Sequence, residues 1–277
     1  ERAERDAAQA QGAGTAVKRI DERLLACHGA LSEAPPHFEP VEGVANAGVL
    51  LALPALIGEG LLSSAERIYR PLKAGFYGLH SILLCLVMMA LLRIKSIEGL
   101  SAHQPGELGI LLGLDRVPEV KTLRRKLAEL GEQQQAAKLA AALTERWARG
   151  EPDELGVLYI DGHVQTYTGR KHRLAKTFGQ KRRQCRPAST DTWVHNAAAE
   201  PLFFVTSPIN QHLLAMIEQE VIPEARRQIG TQRALTLVFD REAWSPDSFR
   251  RWHAEGVDVI TYRKGKQTPW EAADFQP

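Results

Sequence analysis

The spacing of apolar residues changes once along the chain, near residue 151. From Gly48 to about Gly150, apolar residues recur at helical intervals, interrupted by Gly and Pro at "SAHQPGELG" and "LDRVP". After that point, short runs typical of strands dominate: "GVLYI", "VQTYT", "PLFFV", "ALTLVF" and "VDVITY". The pattern predicts an all-helical domain over 44–150 and a mixed α/β domain over 151–277.

The first 43 residues form a separate segment. Residues 1–33 are rich in charge and predict an exposed helix, or two helices separated at "GAG". The stretch "APPHFEPVEG", 34–43, carries too much proline for regular structure and predicts a linker.

The order of elements in the second domain indicates its fold class. A strand over 157–162 and two or three strands within 163–206 precede a helix over 210–229, a strand over 235–240, a helix over 246–255 and a strand over 257–262. Antiparallel strands followed by a β-α-β-α-β run predict a mixed sheet with helices covering it, which is an α+β or mixed α/β fold. The segments "HVQTYT" and "DTWVHN" compete for one strand position, and the pattern leaves that choice open.

Composition narrows the class of protein. The chain has 35 Lys plus Arg against 33 Asp plus Glu, so only a local asymmetry of charge would indicate a nucleic-acid partner. Its three cysteines, Cys27, Cys85 and Cys185, are far apart and lack metal-site spacing, which favours a reducing cytosol. The most apolar run, "LHSILLCLVMMALL" at 79–92, is shorter than the roughly 20 residues that span a bilayer. We expect a buried helix there and no membrane partner.

Two aspartates follow apolar strands. Asp161 ends the run "VLYID", and Asp240 ends "LTLVFD". Each alone is explained by a turn or a helix N-cap. If the two strands are neighbours, however, both carboxylates meet at one edge of the sheet, where they would repel unless a cation lies between them. Mg²⁺ prefers carboxylate oxygens and can serve phosphodiester chemistry, so the pair predicts a metal site for phosphoryl transfer on nucleic acid.

A basic segment follows Asp161. Between Gly162 and Thr190 there is no acidic residue, and eight positive side chains occur: Arg170, Lys171, Arg173, Lys176, Lys181, Arg182, Arg183 and Arg186. Such a concentration in a nearly neutral chain favours contacts with DNA phosphates, with a solvated hairpin as the alternative. Tyr167 and Phe178 would stack on unpaired bases, and Arg241, directly after Asp240, would contact a phosphate. His163 is interpreted as a surface residue in a turn, with a place near the metal as the alternative. Glu242 is interpreted as a charge at a helix start.

The helical domain contains a second candidate for DNA binding. The stretch 107–130 has the form helix, short turn, helix, with Pro118 suited to a first helical position. Val120, Leu123, Leu127 and Leu130 form one apolar stripe, and the positive side chains largely off it are Lys121, Arg124, Arg125 and Lys126. A helix-turn-helix that enters the major groove would have this pattern, as would an ordinary helical bundle.

The stretches "YIDG", "VFDRE" and above all "FDREAWSPDSFRRWHAEGVDVITYRKG" resemble the catalytic domain of DDE transposases from bacterial insertion sequences. The resemblance covers about 150–270, and 44–130 more loosely. It implies an RNase H-like domain of the retroviral-integrase type. Asp161 and Asp240 would then be the first two members of an acidic triad that holds Mg²⁺ or Mn²⁺. The implied partners are double-stranded DNA, at the transposon ends and the target, and a second copy of the chain. The implied location is the bacterial cytoplasm, near the nucleoid.

The third member of that triad, a glutamate on a later helix, has no counterpart in this chain. Glu271 comes too soon after the last predicted strand, and we expect the sequence to be an excerpt that stops before the third acidic residue. Two alternatives therefore remain beside an active transposase: an inactive relative that only binds DNA, and an RNase H-fold nuclease that cuts without joining strands. A glycosidase-like use of the carboxylates would leave the basic segment unexplained.

Overall fold

The computed structural model describes residues 18–148, 156–169, 173–179, 183–230 and 233–265. The chain divides into two compact units, Glu1–Leu143 and Thr144–Pro277. Each unit has its own apolar core.

The first unit is helical over its described residues, as the apolar spacing predicts. Its α-helices are α1 (Ile20–Cys27), α2 (Leu53–Gly58), α3 (Leu61–Ile68), α4 (Leu79–Leu91), α5 (Pro105–Leu111) and α6 (Val120–Glu132), and α7 (Ala136–Ala148) runs across the boundary between the units. Two 3-10 helices, Ala47–Ala52 and Ile97–Ala102, complete it.

Helix α4 lies at the centre of the first core. It is apolar on nearly every side, and Leu79, Ile82, Cys85 and Met88 are all buried, which is the pattern of a helix surrounded by protein. The prediction of a buried helix at 79–92 is confirmed. No single described helix is long and apolar enough to cross a membrane, although the bent pair Ala47–Gly58 and Leu61–Ile68 would suffice by length and composition alone.

The residues between α1 and the first 3-10 helix are irregular, as predicted, but they make hydrogen bonds with the rest of the helical unit. The backbone N–H of Ala34 donates to the Phe76 carbonyl at 3.0 Å, and that of His37 donates to the Gly113 carbonyl at 2.8 Å. Ala34 is fully buried. This part of the predicted linker is therefore packed against the helical unit.

Arg23 on α1 makes a partly buried network with the chain around α4 and α5. Its guanidinium donates to Asp115 Oδ1 at 2.6 Å and Oδ2 at 2.9 Å, and to the Tyr77 hydroxyl at 3.0 Å. The same group lies 3.6 Å from the centre of the Phe76 ring. Because two planar hydrogen bonds and a cation–π contact act on one side chain, this network fixes α1 to the unit.

The connection between α5 and α6 is longer than a helix-turn-helix turn. It runs over 112–119, and Leu112, Leu114 and Val117 within it are buried. A Cβ on Gly109 would lie 2.4 Å from the Arg116 Cα, so only glycine permits the connection to fold back against α5.

Helix α6 buries the predicted apolar stripe. Leu123 and Leu130 are buried in the first core, and Val120 and Leu127 pack against it. Pro118 does not start the helix, because Glu119 is the extended N-cap residue and Val120 the first helical one. Lys126, which the sequence places largely off the apolar stripe, is nevertheless buried. It is 3% exposed, and its ammonium donates to the Lys73 carbonyl at 2.6 Å.

The second unit contains a six-stranded sheet. Its strands are β1 (Val157–Thr166), β2 (Lys176–Gly179), β3 (Gln184–His195), β4 (Pro201–Pro208), β5 (Leu235–Phe239) and β6 (Val257–Thr261). Strand β3 lies between β1 and β4 and pairs antiparallel with both, while β5 is parallel to β1 and to β6. Strand β2 forms a hairpin with the first residues of β3. The predicted mixed sheet with helices is thus observed.

The two segments that compete for one place in the sequence pattern instead pair with each other. Residues 163–166 extend β1, and 191–195 belong to β3, so that His163 lies opposite Asp191. Both segments are therefore strands of the sheet, and β1 and β3 together form one long antiparallel ribbon.

The long helix after β4 is not uniform. Helix α8 (Leu213–Met216) continues through a π-helical turn (Ile217–Val221) into α9 (Ile222–Ile229). Pro223 at the start of α9 has no N–H, and a wider turn before it relieves the clash of its ring with the preceding carbonyls. Helix α10 (Pro246–Ala254) follows β5, with Ser245 as its N-cap.

One face of the sheet packs into the second core. Leu158 and Ile160 on β1 and Leu237 on β5 are buried there together with Ile217 and Val221 of the π-helical turn. On the strand positions between them, side chains point the other way, and Tyr159 is 46% exposed. We call this second side the outer face.

Candidate functional site

Asp161 lies on the exposed outer side of β1, but it does not end the strand. Strand β1 continues to Thr166 because its pairing with β3 continues, whereas its ladder with β5 ends at Tyr159. The carboxylate of Asp161 makes no hydrogen bond or ion pair with another described residue.

Asp240 directly follows β5 and is exposed. Its Oδ1 accepts a hydrogen bond from the Glu242 N–H at 2.8 Å, so it caps the short 3-10 helix Arg241–Ala243. The Asp240 carbonyl accepts from the Thr261 hydroxyl at 3.0 Å, which ties it to the end of β6. The helix-cap alternative is therefore observed at Asp240, and only Oδ1 is used by it.

The register of β1 and β5 relates the two aspartates. Leu158 pairs with Leu237 and Tyr159 pairs with Val238. Extended by two residues, the same register aligns Asp161 with Asp240. The ladder itself ends at Tyr159 and Val238, and both aspartates lie two residues beyond it, at the same edge of the sheet.

Such a pair has a defined chemistry. Two carboxylates brought close together repel, and either a proton or a cation between them relieves the repulsion. The oxygens are hard donors of the kind that Mg²⁺ and Mn²⁺ accept. Within the described ranges, however, no group of three or more His, Cys, Asp or Glu side chains is arranged to hold a metal ion. The donor set there consists of two carboxylates, and Glu271 lies outside the described residues.

The residues beside Asp161 include an aromatic group that the sequence analysis missed. Trp193 on β3 lies directly opposite Asp161, and Phe204 on β4 lies opposite Trp193. The Trp193 and Phe204 rings are 4.7 Å apart between centroids with planes at 30°. The alternation of side chains along "DTWVHN" indicates that Trp193 and the buried Val194 lie on opposite faces of the sheet. The neighbours of Trp193 on that face follow only from the pairing of the strands.

The next row of the same face is polar. His163 on β1 lies opposite Asp191, and Asp191 lies opposite Thr206 on β4. The Thr206 hydroxyl donates to Asp191 Oδ1 at 2.7 Å. His163 is thus a strand residue beside the site and not the turn residue that the sequence suggests.

The structure describes half of the predicted basic segment. Arg173, Lys176 and Arg183 are exposed and Arg186 is half-buried, whereas Arg170, Lys171, Lys181 and Arg182 lie outside the described residues. Two guanidinium nitrogens of Arg186 donate to Gln184 Oε1 at 2.8 and 3.1 Å. Phe178 on β2 is 58% exposed, and Tyr167 is half-buried.

These charges do not surround Asp161, although they follow it in the sequence. Arg186 lies seven residues along β3 from Trp193, the residue opposite Asp161. At about 3.3 Å per residue, that separation is about 23 Å. The ribbon of β1 and β3 thus carries an acidic site near one end and a basic hairpin near the other. Arg241, by contrast, is exposed and adjoins Asp240, and Glu242 lies in the first turn of the capped helix.

The charges of the predicted helix-turn-helix are on the surface of α6. Lys121, Arg124 and Arg125 are exposed. Arg124 forms an ion pair with Glu98, and its hydrogen bond lowers the pKa of the Glu98 carboxyl. Lys121 and Arg125 therefore carry the positive charge of this surface.

Comparisons with known proteins complete the description. No curated protein matches the sequence. The solved structures that resemble the chain include "Crystal structure of the Mos1 Strand Transfer Complex", with 11% identity, a TM-score of 0.27, and coverage of 64% of this chain and 57% of that one. A "Mos1 transposase paired-end complex with left transposon end" gives 11% identity, a TM-score of 0.27 and coverage of 63% and 57%. These matches span less than two thirds of the other chains, and at such TM-scores nothing further follows from them.

The family comparison covers nearly the whole sequence. The family model Transposase_29, described as "Transposase protein", matches residues 14–276. This range includes both aspartates, the basic segment and α6. The chain belongs to this family of transposase proteins.

Proposed function

We propose that the chain acts as a DDE-type DNA transposase, which cleaves DNA strands at the ends of a bacterial insertion sequence and transfers them to a target. The observation that carries the proposal is the parallel pairing of β1 with β5, whose register, extended by two residues, aligns Asp161 with Asp240. The strand order β4-β3-β1-β5-β6, with three antiparallel strands followed by two parallel ones, supports an RNase H-like arrangement of the sheet.

A divalent cation fits this pair of side chains. Both carboxylates are exposed, and neither forms an ion pair with a described Lys, Arg or His. Asp161 and Asp240 would hold Mg²⁺ or Mn²⁺. A bound ion of this kind supplies activation of an attacking water or DNA 3′-hydroxyl and stabilisation of the leaving oxygen. Arg241 would neutralise a phosphate next to the site.

Most contacts with the DNA backbone would lie at a distance from Asp161 and Asp240. Arg173, Lys176, Arg183 and Arg186 around the β2–β3 hairpin offer phosphate contacts, as would the undescribed Arg170, Lys171, Lys181 and Arg182. Lys121, Arg124 and Arg125 on α6 would contact the same or a second duplex. We further propose that the protein acts as a homodimer on DNA, in the bacterial cytoplasm near the nucleoid.

The decisive variants are Asp161→Asn and Asp240→Asn in the full-length protein. Each removes one negative oxygen ligand but keeps the shape of the side chain, and Asn still caps the 3-10 helix. We expect strand cleavage of a DNA carrying the element's ends to fall at least 1,000-fold, roughly the loss seen when essential catalytic groups are removed. Affinity for the same DNA should change less than about threefold, since phosphate contacts supply most of it.

Asp258→Asn is the matched control. Asp258 is an exposed aspartate on β6, but it pairs with Thr236 at the opposite end of the strand from Asp240. This variant should cleave DNA at the wild-type rate. Wild-type cleavage by Asp161→Asn or Asp240→Asn would overturn the proposal.

One observation favours the alternative of a relative that only binds DNA. The described residues offer two carboxylates and no third ligand at the site. Under that alternative, the wild-type protein would bind DNA with the same affinity as both variants and would not cleave it with Mg²⁺ or Mn²⁺. A nuclease, by comparison, would cut without joining strands.

A further inference from the structure

The outer face of the sheet carries a flat aromatic surface next to Asp161. We call the side chains of Trp193 and Phe204 the aromatic shelf. The two rings lie 4.7 Å apart with planes at 30°, and the Trp193 ring is also stacked with that of His195, at 6.3 Å and 29°. Phe204 is 48% exposed and Trp193 is half-buried. The shelf therefore presents ring surface to the outside.

Its position relative to the carboxylate is fixed by pairing. Trp193 and Asp161 are direct cross-strand partners, and Phe204 continues the same row on β4. Cross-strand partners on one face have Cβ atoms about 5 Å apart. A group that contacts Asp161 from the outer face would thus place its neighbouring atoms over the shelf.

We propose that the aromatic shelf binds an unpaired nucleobase of the DNA strand whose phosphate lies at Asp161. This inference rests on the proposed function for the identity of the polymer. A base has a flat π surface that stacks on aromatic rings whatever its identity. A base inside a duplex already stacks on its neighbours, so only one that has left the helix can reach the shelf.

The charge along the ribbon is consistent with this occupant. The shelf and the β2–β3 hairpin lie on the same pair of strands, with Arg186 about 23 Å from the row of Asp161 at about 3.3 Å per residue. A DNA strand that follows β3 would have its backbone near the basic hairpin and its unpaired base on the shelf. An apolar protein segment would gain nothing from those charges.

The test compares two fluorescent DNA probes with the full chain in EDTA, so that no cleavage occurs. One probe is a paired duplex, and the other is the same duplex with a short central bubble. We expect the wild-type protein to bind the bubble more tightly, and Phe204→Leu to lose about tenfold of affinity for the bubble alone, since stacking on aromatic rings is removed. Leucine keeps the apolar volume, so the variant should fold. Phe204→Tyr retains a ring and should bind as the wild type does.

Ile260→Ala is the control on the same face. Ile260 is 58% exposed on β6, away from the row of Asp161, and its loss should leave both probes unaffected. Equal losses on the two probes, or none, in Phe204→Leu would overturn the inference. So would a fall in thermal stability or a change in oligomeric state in both Phe204→Leu and Ile260→Ala, because the outer face would then be a protein contact.

The outcome is separable from that of the proposed function. Asp161→Asn should keep the preference for the bubble while it loses cleavage. A protein that prefers the bubble through Phe204 but never cleaves DNA would retain the shelf and refute the transposase chemistry. A protein that cleaves DNA through Asp161 but does not prefer the bubble would support the proposed function and refute the aromatic shelf as a base-binding site.

Discussion

Cys85 shows how a single residue reports on the packing of the first core. It is 1% exposed within α4, and burial raises the pKa of its thiol to about 12. Cys27 and Cys185 are exposed. At pH 8, only about one Cys85 thiol in ten thousand would be ionised, and the thiolate is the reactive form.

We therefore expect a maleimide to modify Cys27 and Cys185 in the native protein and Cys85 only after denaturation. Mass spectrometry of the modified chain measures this directly. The Cys85→Ser variant serves as a control, since it should give the same native pattern and lose the additional site in denaturant. Rapid native modification of Cys85 would show that α4 is not buried.

Single residues also show what the sequence could predict about the site. Asp161 and Asp240 were identifiable because each follows a short apolar run in the sequence. Trp193 and Phe204 were not, because their relation to Asp161 depends on which strands pair and in which register. Lys126 has the sequence context of a surface charge, yet its ammonium is held by the Lys73 carbonyl, a residue 53 positions away.

At the scale of elements, the attachment of α1 depends on Arg23. Arg23→Ala would leave Asp115 without its partner and remove the contact with the Phe76 ring. Because Arg23 and Asp115 are about one-fifth exposed, we expect a loss of about 2 kcal/mol in the free energy of unfolding, below the range for a fully buried pair.

Urea denaturation followed by circular dichroism would measure this loss. Arg23→Lys keeps the charge but lacks the planar guanidinium, so its free energy of unfolding should lie between those of the wild type and Arg23→Ala. Arg124→Ala, which breaks the exposed pair with Glu98, is the comparison and should cost far less than Arg23→Ala. A similar small loss in Arg23→Ala would mean that the network is not what holds α1.

Element types were largely predictable, and their details were not. Long periodic segments gave the helices of the first unit and the strands of the second. The π-helical turn before Pro223 and the buried connection after α5 arise from tertiary contacts, such as the close approach of Gly109 to Arg116. Local periodicity carries no information about those contacts.

At the scale of the whole molecule, net charge is nearly zero, so the proposed DNA affinity would depend on where the positive groups lie. We expect the double variant Lys176→Ala and Arg186→Ala to reduce the slope of log Kd against log salt by up to about 2, since each phosphate contact contributes about 0.9. Fluorescence anisotropy over a range of NaCl concentrations measures the slope.

A second double variant removes the same charge from elsewhere. Arg227 and Arg250 lie on α9 and α10, each in an ion pair with a neighbouring carboxylate. Replacing both by Ala should leave the slope within about 0.5 of the wild type. Equal effects of the two double variants would assign DNA binding to overall charge and not to the hairpin.

The parallel pairing of β1 with β5 also bears on the order in which the parts of the sheet form during folding. Val157 and Thr236 are partners 79 residues apart in sequence, whereas β1, β3 and β4 join through nearer segments. Since distant contacts close more slowly, we expect pulsed hydrogen exchange during refolding to protect β1 and β3 before β5. A nascent chain would then form its basic hairpin before it brings Asp161 and Asp240 together, so the proposed DNA contacts would precede the proposed metal site.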